Sequence, residues 1–239
     1  MEYEHVKKGI FRERPNRFVA LVEIDGKEHR VHVKNTGRCR ELLVPGAQVI
    51  LEHHPRALEQ GRKTEYSVVA VYKGDLLINM DSQAPNEAAA QWLRDGGFER
   101  ATGKRPEQIR REAAYGKSRF DLACSTGGKP AFIEVKGVTL EADGIAMFPD
   151  APTERGVKHL QELAGAVKDG YDAYVLFVIQ MKGPSCFCPN FRMHREFARA
   201  LWKAGEEGVT ILAYDCVVRE NGFSIDQAVK VVLEEKNLR

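Results

Sequence analysis

Apolar and polar residues alternate along the first third of the chain in the way that is typical of short antiparallel strands. The alternation runs over Arg17–Ile24 and again over Glu28–Val33. The Asp25-Gly26 pair between them is a favoured hairpin turn. Three further segments with strand character follow and are separated by turn residues: Gln48–Glu52, Tyr66–Tyr72 and Leu76–Met80. This spacing of short strands predicts a small closed β-barrel.

The pattern changes after Ser82–Asn86, a polar stretch that contains a proline. Glu87–Leu93 has the periodicity of a helix that ends at Gly96-Gly97. The change predicts a domain boundary, with residues 1–83 forming a barrel of the oligonucleotide-binding (OB) kind and residues 84–239 forming a second domain.

The pattern of the second domain predicts three strands, followed by two alternations of helix and strand. The strands are Ile109–Tyr115, Arg119–Cys124 and Ala131–Thr139; the alternating elements are a helix near Thr153–Lys168, a strand Ala173–Ile179, a helix near Met193–Ala204 and a strand Val209–Tyr214. A mixed sheet flanked by helices results. The predicted fold class is therefore α/β plus a small all-β domain.

Composition narrows the class of protein. The chain has 239 residues, of which 43% are hydrophobic and 29% charged, so it resembles a globular protein rather than a disordered or coiled-coil one. Its longest apolar run, Ala173–Ile179, is too short to cross a bilayer, and its first residues lack the pattern of a signal peptide. We expect a cytoplasmic protein that has no membrane partner.

The five cysteines are an odd number in a chain with no export signal, so we expect reduced thiols. Cys186-Phe187-Cys188 with His194 nearby favours ordinary thiols over a zinc site, because structural zinc requires four ligands and usually a wider cysteine spacing.

Charge is distributed unevenly along the chain. The net charge is only +2, but residues 7–40 contain ten basic side chains and four acidic ones. This segment is either an anion-binding surface or a solvated basic face that keeps the protein soluble.

Candidate chemistry lies on neighbouring strands. A two-residue turn at Gly127-Gly128 would pair Thr126 with Lys129 and place Asp121 across from Glu134, where like charges repel unless a cation lies between them. Strand periodicity puts Lys136 on the face of Glu134. If Gly116-Lys117 is the turn of the preceding hairpin, Glu112 lies across from Asp121.

Three acids and a lysine on one face predict a divalent-cation site. Mg²⁺ suits it best, and Mn²⁺ could replace it, since both take oxygen ligands and Mg²⁺ is often held by few carboxylates together with substrate phosphates. Asp121, Glu134 and Glu112 would be the ligands, and Lys136 would orient water or stabilise the transition state.

The same residues resemble the motifs of known families. Asp121 followed by Glu134-Val135-Lys136 resembles the signature of the PD-(D/E)XK nuclease superfamily. More specifically, the chain resembles the sugar fermentation stimulation protein A family in several segments: Arg14–Phe18, Asn35-Thr36-Gly37, Glu41–Gly46, Glu112–Asp121, Ile133–Leu140 and Phe148–Leu163. The resemblance implies a DNA-binding protein that has an OB-like domain and a nuclease-like domain and is linked to the use of maltose and other sugars.

Nucleic acid, and DNA more than RNA, is therefore the expected partner. Candidate contacts come from the basic segment and from the helix near Thr153–Lys168, where Arg155 and His159 share a polar face opposite the apolar stripe: Arg14, Arg17, Lys34, Asn35, Arg38, Arg155 and His159.

Two functions remain open. One is a metal-dependent nuclease that acts on phosphodiester bonds. The other is a non-catalytic DNA-binding regulator of sugar (maltose) metabolism genes with a vestigial nuclease site. The sequence contains no clear helix-turn-helix motif for base-specific recognition in the major groove.

Overall fold

The computed structural model describes residues 1–35, 37–57, 59, 61–116 and 118–233. The strands of the N-terminal domain are Val6–Asn16 (β1), Val19–Ile24 (β2), Lys27–Val33 (β3), Gln48–His53 (β4), Tyr66–Lys73 (β5) and Leu76–Asn79 (β6). Strand β1 pairs with β2 and β4, and β5 pairs with β4 and, in parallel, with β3, which closes a five-stranded barrel that β6 extends. The predicted OB-like barrel is confirmed.

The sequence does not predict strand β1, because its side chains are mostly polar and do not alternate cleanly. Only Gly9 and Phe11 are buried in it. Gly9 allows two strands to approach closely, since a Cβ there would lie 2.5 Å from Cγ1 of Val22. A polar strand of this kind is stabilised by pairing on both sides rather than by its own apolar pattern.

Over its described residues, the second domain contains four helices and two sheets. The helices are Ala84–Arg94 (α1), Gly97–Thr102 (α2), Glu154–Lys168 (α3) and Arg195–Glu206 (α4). The strands are Pro106–Tyr115 (β7), Ser118–Thr126 (β8), Lys129–Val138 (β9), Leu140–Ala142 (β10), Ile145–Phe148 (β11), Asp172–Ile179 (β12), Cys186–Pro189 (β13), Thr210–Arg219 (β14), Gly222–Ala228 (β15) and Lys230–Val231 (β16).

The central sheet has the strand order β15-β14-β12-β9-β8-β7 and is mixed, as predicted. Strands β14, β12 and β9 run parallel to one another. Strand β8 pairs antiparallel with β9, and β7 pairs antiparallel with β8. A smaller sheet has the order β10-β11-β13-β16. Helices α1 and α2 cover one face of the central sheet, and α3 and α4 cover the other. The apolar cluster under α3 and α4 also includes barrel residues such as Phe11, so the two domains share a continuous core.

Two hairpins place the candidate site. Strands β8 and β9 pair Thr126 with Lys129 and Leu122 with Ile133, which is the predicted register. Strands β7 and β8 pair Tyr115 with Ser118. Of the turn predicted there at Gly116-Lys117, Lys117 lies outside the described residues.

Helix α3 begins at a side-chain cap, because Oγ1 of Thr153 accepts a hydrogen bond from the N–H of Gly156 at 3.1 Å. The cap sets where the helix starts and thus which of its side chains meet strand β9.

The state of the cysteines and the character of the helices can be read directly from the structure. All five cysteines are free thiols, as expected. Over the described residues, no helix combines the length and the apolar character that crossing a bilayer requires.

Candidate active site

Asp121 and Glu134 lie at the point where the ladder between β8 and β9 opens. The last regular pair before them is Leu122–Ile133. Oδ2 of Asp121 then accepts a hydrogen bond from the N–H of Val135 at 2.8 Å, and Oδ1 accepts one from Nδ2 of Asn86 at 2.8 Å. The carboxylate of Asp121 thus takes the place of a main-chain acceptor and is held rigidly beside Glu134.

Glu134 is almost closed to solvent, with 3% of its side chain exposed. Its Oε1 accepts hydrogen bonds from Nζ of Lys136 at 2.5 Å and from Nδ1 of His159. Its Oε2 is buried and has no hydrogen-bond partner among the residues that the structure describes. Lys136 and His159 therefore both donate to Oε1, and Oε2 remains able to accept.

Burial and charge move the pKa values of the two carboxyl groups in opposite directions. Burial, with the charge of Glu134 in addition, raises the pKa of Asp121. Burial also acts to raise the pKa of Glu134, but the hydrogen bonds from His159 and Lys136 and the charge of Lys136 outweigh it, so that this pKa is lowered. Glu134 is the more stable anion, and Asp121 the carboxylate that gains most from added positive charge.

His159 is held between Glu134 and an arginine. Nε of Arg155 donates a hydrogen bond to Nε2 of His159 at 3.2 Å. Because an arginine N–H can only donate, this hydrogen bond assigns the ring proton to Nδ1, which then donates to Glu134. The result is a chain of hydrogen bonds, from Arg155 to His159 to Glu134, that reaches from the surface of α3 to strand β9.

The prediction that His159 lies on a polar face with Arg155, opposite the apolar stripe of α3, is wrong. His159 is 6% exposed and lies under α3 against the sheet. The buried stripe of α3 is wider than its apolar residues alone indicate, because the polar ring of His159 has a polar partner in Glu134. Arg155 remains at the surface.

Glu112 is not brought to the pair, contrary to expectation. The neighbouring pairs Arg111–Leu122 and Ala113–Phe120 put it across from Asp121 in register. However, Glu112 has a φ of 56°, which interrupts strand alternation, and its carboxylate is 63% exposed and pairs with Arg119 at 3.3 Å.

Another group of potential metal ligands lies elsewhere. Oxygen and nitrogen atoms of Glu154, His194 and Glu196 lie within 4.8 Å of one another. The N–H of Thr153 donates to Nδ1 of His194 at 3.3 Å, which assigns the ring proton to Nε2 and leaves that nitrogen without a free lone pair. Nε2 of His194 lies 3.3 Å from Oε1 of Glu154, so the group is held together by a hydrogen bond from the histidine rather than arranged as a metal site.

Three of the candidate nucleic-acid contacts are occupied within the protein, which corrects the expectation that they face a ligand. Both Nη atoms of Arg14 donate to main-chain carbonyl groups. Lys34 is half-buried and pairs with Glu52 and Asp81, each at 2.9 Å. Asn35 is buried, and its Oδ1 accepts the N–H of Gly37 at 2.7 Å.

Arg17 and Arg38 are exposed, as expected for surface contacts. Other basic residues of the segment 7–40 are neutralised by acids: Lys7 pairs with Asp25, Lys8 with Glu220 and Arg12 with Glu23. Glu220, and the partners Glu52 and Asp81 of Lys34, lie outside the segment, so the local excess of positive charge is smaller in the folded protein than in the sequence.

Asn86 and Gln180 have structural roles next to the site. Asn86 lies in the polar stretch that marks the domain boundary, and that stretch is the one sequence signal that could have drawn attention to it. Gln180 is buried, and its Nε2 donates to Oδ1 of Asn79 and to the carbonyl group of Asp81. The carboxamide of Gln180 therefore links the end of strand β12 to the barrel.

Comparison with known proteins covers the whole chain. A family model described as the sugar fermentation stimulation protein RE domain matches residues 83–222, and one described as the SfsA N-terminal OB domain matches residues 13–80. Proteins named sugar fermentation stimulation protein homolog are similar to this chain. The one from Desulfitobacterium hafniense (strain Y51) is 51% identical over 98% of this chain and 100% of its own length, and the one from Alkaliphilus oremlandii is 52% identical over 97% and 98%.

A solved structure has the same fold over the same extent. The structure of Pyrococcus furiosus SfsA in complex with Ca²⁺ superposes with a TM-score of 0.85 at 28% identity and covers 97% of this chain and 98% of that chain. Domain models, full-length relatives and fold agree. The chain belongs to the sugar fermentation stimulation protein family.

Proposed function

We propose that this protein is a divalent-metal-dependent phosphodiesterase that acts on nucleic acid, with DNA as its more favoured substrate. Asp121 and Glu134 hold the metal ion, and Lys136 supplies a positive charge at the reacting phosphate. The single observation that carries the proposal is the buried Oε2 of Glu134, which has no hydrogen-bond partner within the described part of the chain and lies beside a second fixed carboxylate.

The donor set fits Mg²⁺ or Mn²⁺. The available atoms are carboxylate oxygens, which are the ligands these ions prefer. A buried carboxylate oxygen without a partner is costly unless a cation or a donor completes it. When bound, such an ion lowers the pKa of a water ligand and neutralises charge on a phosphoryl oxygen. The Pyrococcus furiosus relative in complex with Ca²⁺ supports a site for a hard divalent ion in this family.

The side chains of the protein position the carboxylates and supply a positive charge. Asp121 is fixed by Val135 and Asn86, so it does not have to be ordered when substrate binds. His159 keeps the carboxylate of Glu134 oriented. Lys136 is held on Oε1 of Glu134, at the place where its ammonium group can also contact a phosphoryl oxygen.

A non-catalytic function is the second candidate. In that case the protein would bind DNA and regulate genes of sugar use, and the site would be vestigial. Two observations favour it: Glu112 does not join the carboxylates, and the ammonium group of Lys136 is already engaged by Glu134.

A cleavage assay separates the two candidates. Labelled single-stranded and duplex DNA, with RNA of the same sequence, is incubated with the protein in the presence of Mg²⁺, Mn²⁺ or a chelator. We expect metal-dependent cleavage of DNA, and a decrease in rate of about 10²- to 10³-fold in Lys136→Ala, because a charge preorganised for the transition state is lost.

Glu112→Gln is the matched control, because it removes an acid of the same sequence motif that lies outside the pair. It should keep most of the wild-type rate. No cleavage by the wild-type protein with either metal, or equal rates for wild type and Lys136→Ala, would contradict the catalytic proposal and favour the binding function.

A further inference from the structure

One aromatic side chain of the barrel is exposed at a turn that the protein holds rigidly. Phe18 lies between β1 and β2, and 44% of it is exposed. Its N–H donates to Oδ1 of Asn16 at 2.9 Å. Its carbonyl group accepts from the N–H of Val33 at 2.8 Å and from Nδ1 of His32 at 3.1 Å. The main chain is thus fixed on both sides of a ring that faces solvent.

Arg14 holds the main chain of two exposed arginines, Arg17 and Arg38, near this turn. Nη2 of Arg14 donates to the carbonyl group of Arg17 at 2.6 Å, and Nη1 donates to the carbonyl groups of Arg38 at 2.8 Å and Gly37 at 3.0 Å. Arg14 therefore acts as a scaffold that holds the turn after β1 to the loop after β3. The main-chain positions of Arg17 and Arg38 are therefore fixed relative to one another before any ligand binds.

The charges of Arg17 and Arg38 are available to an anion. The guanidinium group of Arg17 lies 4.8 Å from the centre of the Phe18 ring. Among the described residues, neither Arg17 nor Arg38 forms an ion pair, whereas the nearby Arg12 is paired with Glu23. An exposed ring with Arg17 over one face, and with Arg38 held to the same turn through Arg14, matches a base together with the phosphates next to it.

We propose that Phe18, Arg17 and Arg38 form a surface that binds an unpaired nucleotide of a single-stranded segment, with the base stacked on Phe18 and the phosphates on the arginines. In duplex DNA the base faces are stacked on one another and are not accessible to a side chain, so only an unpaired base can use the ring. This inference rests on the proposed function in that it takes nucleic acid as the ligand.

One close contact joins the loop that carries Arg38 to the segment before α3. Gly37 lies against Asp150, since a Cβ at Gly37 would be 2.5 Å from Oδ2 of Asp150. Asp150 shortly precedes the start of α3, the helix that carries Arg155 and His159 to Glu134. A single strand bound on the barrel would therefore lie at the junction from which α3 leads to the carboxylate pair.

The test measures binding without cleavage. Fluorescence anisotropy is recorded for a labelled single-stranded DNA without self-complementarity and for the blunt-ended duplex of the same strand with its complement, both in the presence of a chelator. Phe18→Ala should weaken binding of the single strand about tenfold and leave binding of the duplex unchanged, because stacking on one ring is lost. Phe18→Tyr should restore the affinity. Arg17→Ala and Arg38→Ala should each reduce the salt dependence of single-strand binding by the equivalent of one phosphate contact.

Trp202→Ala is the matched control, since Trp202 is an aromatic residue with 51% exposure on α4, away from this surface. It should bind both DNA forms like the wild type. Circular dichroism of each variant checks that it is folded.

Each outcome decides between the proposals. If Phe18→Ala binds single strands as well as the wild type does, or loses affinity for both DNA forms equally, the stacking surface is contradicted. If binding depends on Phe18 as described but the wild-type protein cleaves nothing with any metal, this surface stands and the phosphodiesterase proposal fails. If the wild-type protein cleaves DNA and Phe18 has no effect on binding, the reverse holds.

Discussion

Glu134 keeps its negative charge at a nearly closed position because two donors converge on one of its oxygens. A buried carboxylate without such partners costs several kcal/mol. Lys136 supplies a charge, and His159 supplies a fixed donor whose tautomer Arg155 determines. The arrangement stabilises the anion and leaves Oε2 open, which is the property that a metal ligand requires.

Replacement of His159 tests this role. His159→Leu should lower the free energy of unfolding by about 1–3 kcal/mol, since Oε1 of Glu134 loses a buried donor. His159→Asn places an amide N–H close to the position of Nδ1 and should recover part of the loss. The measurement is urea denaturation near neutral pH. Equal stability of the leucine variant and the wild type would show that His159 merely fills space.

Strand periodicity was enough to predict the carboxylate pair but not its surroundings. Asp121, Glu134 and Lys136 follow from one turn and one register, because side chains in a paired strand alternate regularly. Glu112 departs from its predicted place because its backbone adopts a positive φ, which alternation does not reveal. The burial of His159 could not be predicted from its helix alone, because its partner lies on another element.

At the scale of elements, the start of β12 is anchored by one carboxylate. Asp172 accepts hydrogen bonds from Nζ of Lys104 at 2.5 Å, from Nζ of Lys129 at 2.6 Å and from Oγ1 of Thr126 at 3.1 Å. These donors come from the segment before β7 and from the hairpin between β8 and β9. One side chain therefore fixes the parallel strand β12 to the hairpin that carries the candidate site.

The pH dependence of stability should reveal this anchor. Burial acts to raise the pKa of Asp172, but the hydrogen bonds from Lys104 and Lys129 outweigh it, so that the pKa lies below its usual value of 3.8. The carboxylate therefore stabilises the fold above that usual value, and the contribution is lost as the pH falls through the lower pKa of the folded state.

We expect Asp172→Asn to be less stable than the wild type near neutral pH and to approach it in strongly acidic solution. Urea denaturation over a range of pH measures the difference. A difference that stays constant down to the lowest pH at which both proteins fold would contradict an ionic origin.

Two glycines in different elements should respond in opposite ways to the same substitution. At Gly137 in β9 a Cβ would lie 2.5 Å from Oε1 of Gln180 and 2.8 Å from Cγ of Pro85, so Gly137→Ala should destabilise the protein by about 1–3 kcal/mol. At Gly165 in α3 the nearest neighbour would be 3.6 Å away, so Gly165→Ala should stabilise it by up to about 1 kcal/mol. Thermal unfolding of both variants compares them, and a stabilised Gly137→Ala would show that α1 and Gln180 can move apart.

The long helices and the regular strands could be predicted because their apolar residues repeat with the period of the element. Strand β1 is not predicted because its charged and other polar side chains do not alternate with apolar ones, and its pairing with β2 and β4 outweighs its weak propensity. The short strands of the second sheet, such as β13 and β16, contain too few residues to show a period. They form because β11 pairs with β13, which in turn pairs with β16 in the folded chain.

At the scale of the whole molecule, a buried polar junction joins the barrel to the second domain. Oδ1 of Asn79 accepts from Nε2 of Gln180 at 2.8 Å and from the N–H of Asp81 at 3.1 Å, and its Nδ2 donates to the hydroxyl group of Tyr3 at 2.8 Å. Polar groups buried in this way stabilise only the arrangement in which all are satisfied, so they fix the two domains in one relative position. That position also determines where the barrel surface lies with respect to the carboxylate pair.

Asn79→Leu keeps the volume of the side chain but removes these three hydrogen bonds. We expect a loss of about 2–4 kcal/mol and, more specifically, a loss of cooperativity between the domains, because Gln180 loses one of its two acceptors and the hydroxyl group of Tyr3 loses its donor. The two tryptophans of the chain, Trp92 and Trp202, both lie in the second domain. Tryptophan fluorescence therefore follows that domain alone, whereas far-ultraviolet circular dichroism follows both.

In the wild-type protein the two signals should change together as denaturant is added, since the shared core and the junction make unfolding a single transition. In Asn79→Leu they should separate, because each domain can then unfold without the other. Tyr72→Phe is the control, since it removes a half-buried hydrogen bond of 3.0 Å between the domains, from Tyr72 to Glu220, and leaves the junction intact. If the signals of Asn79→Leu coincide as closely as those of Tyr72→Phe, the shared apolar core alone couples the domains, and the polar junction determines only their orientation.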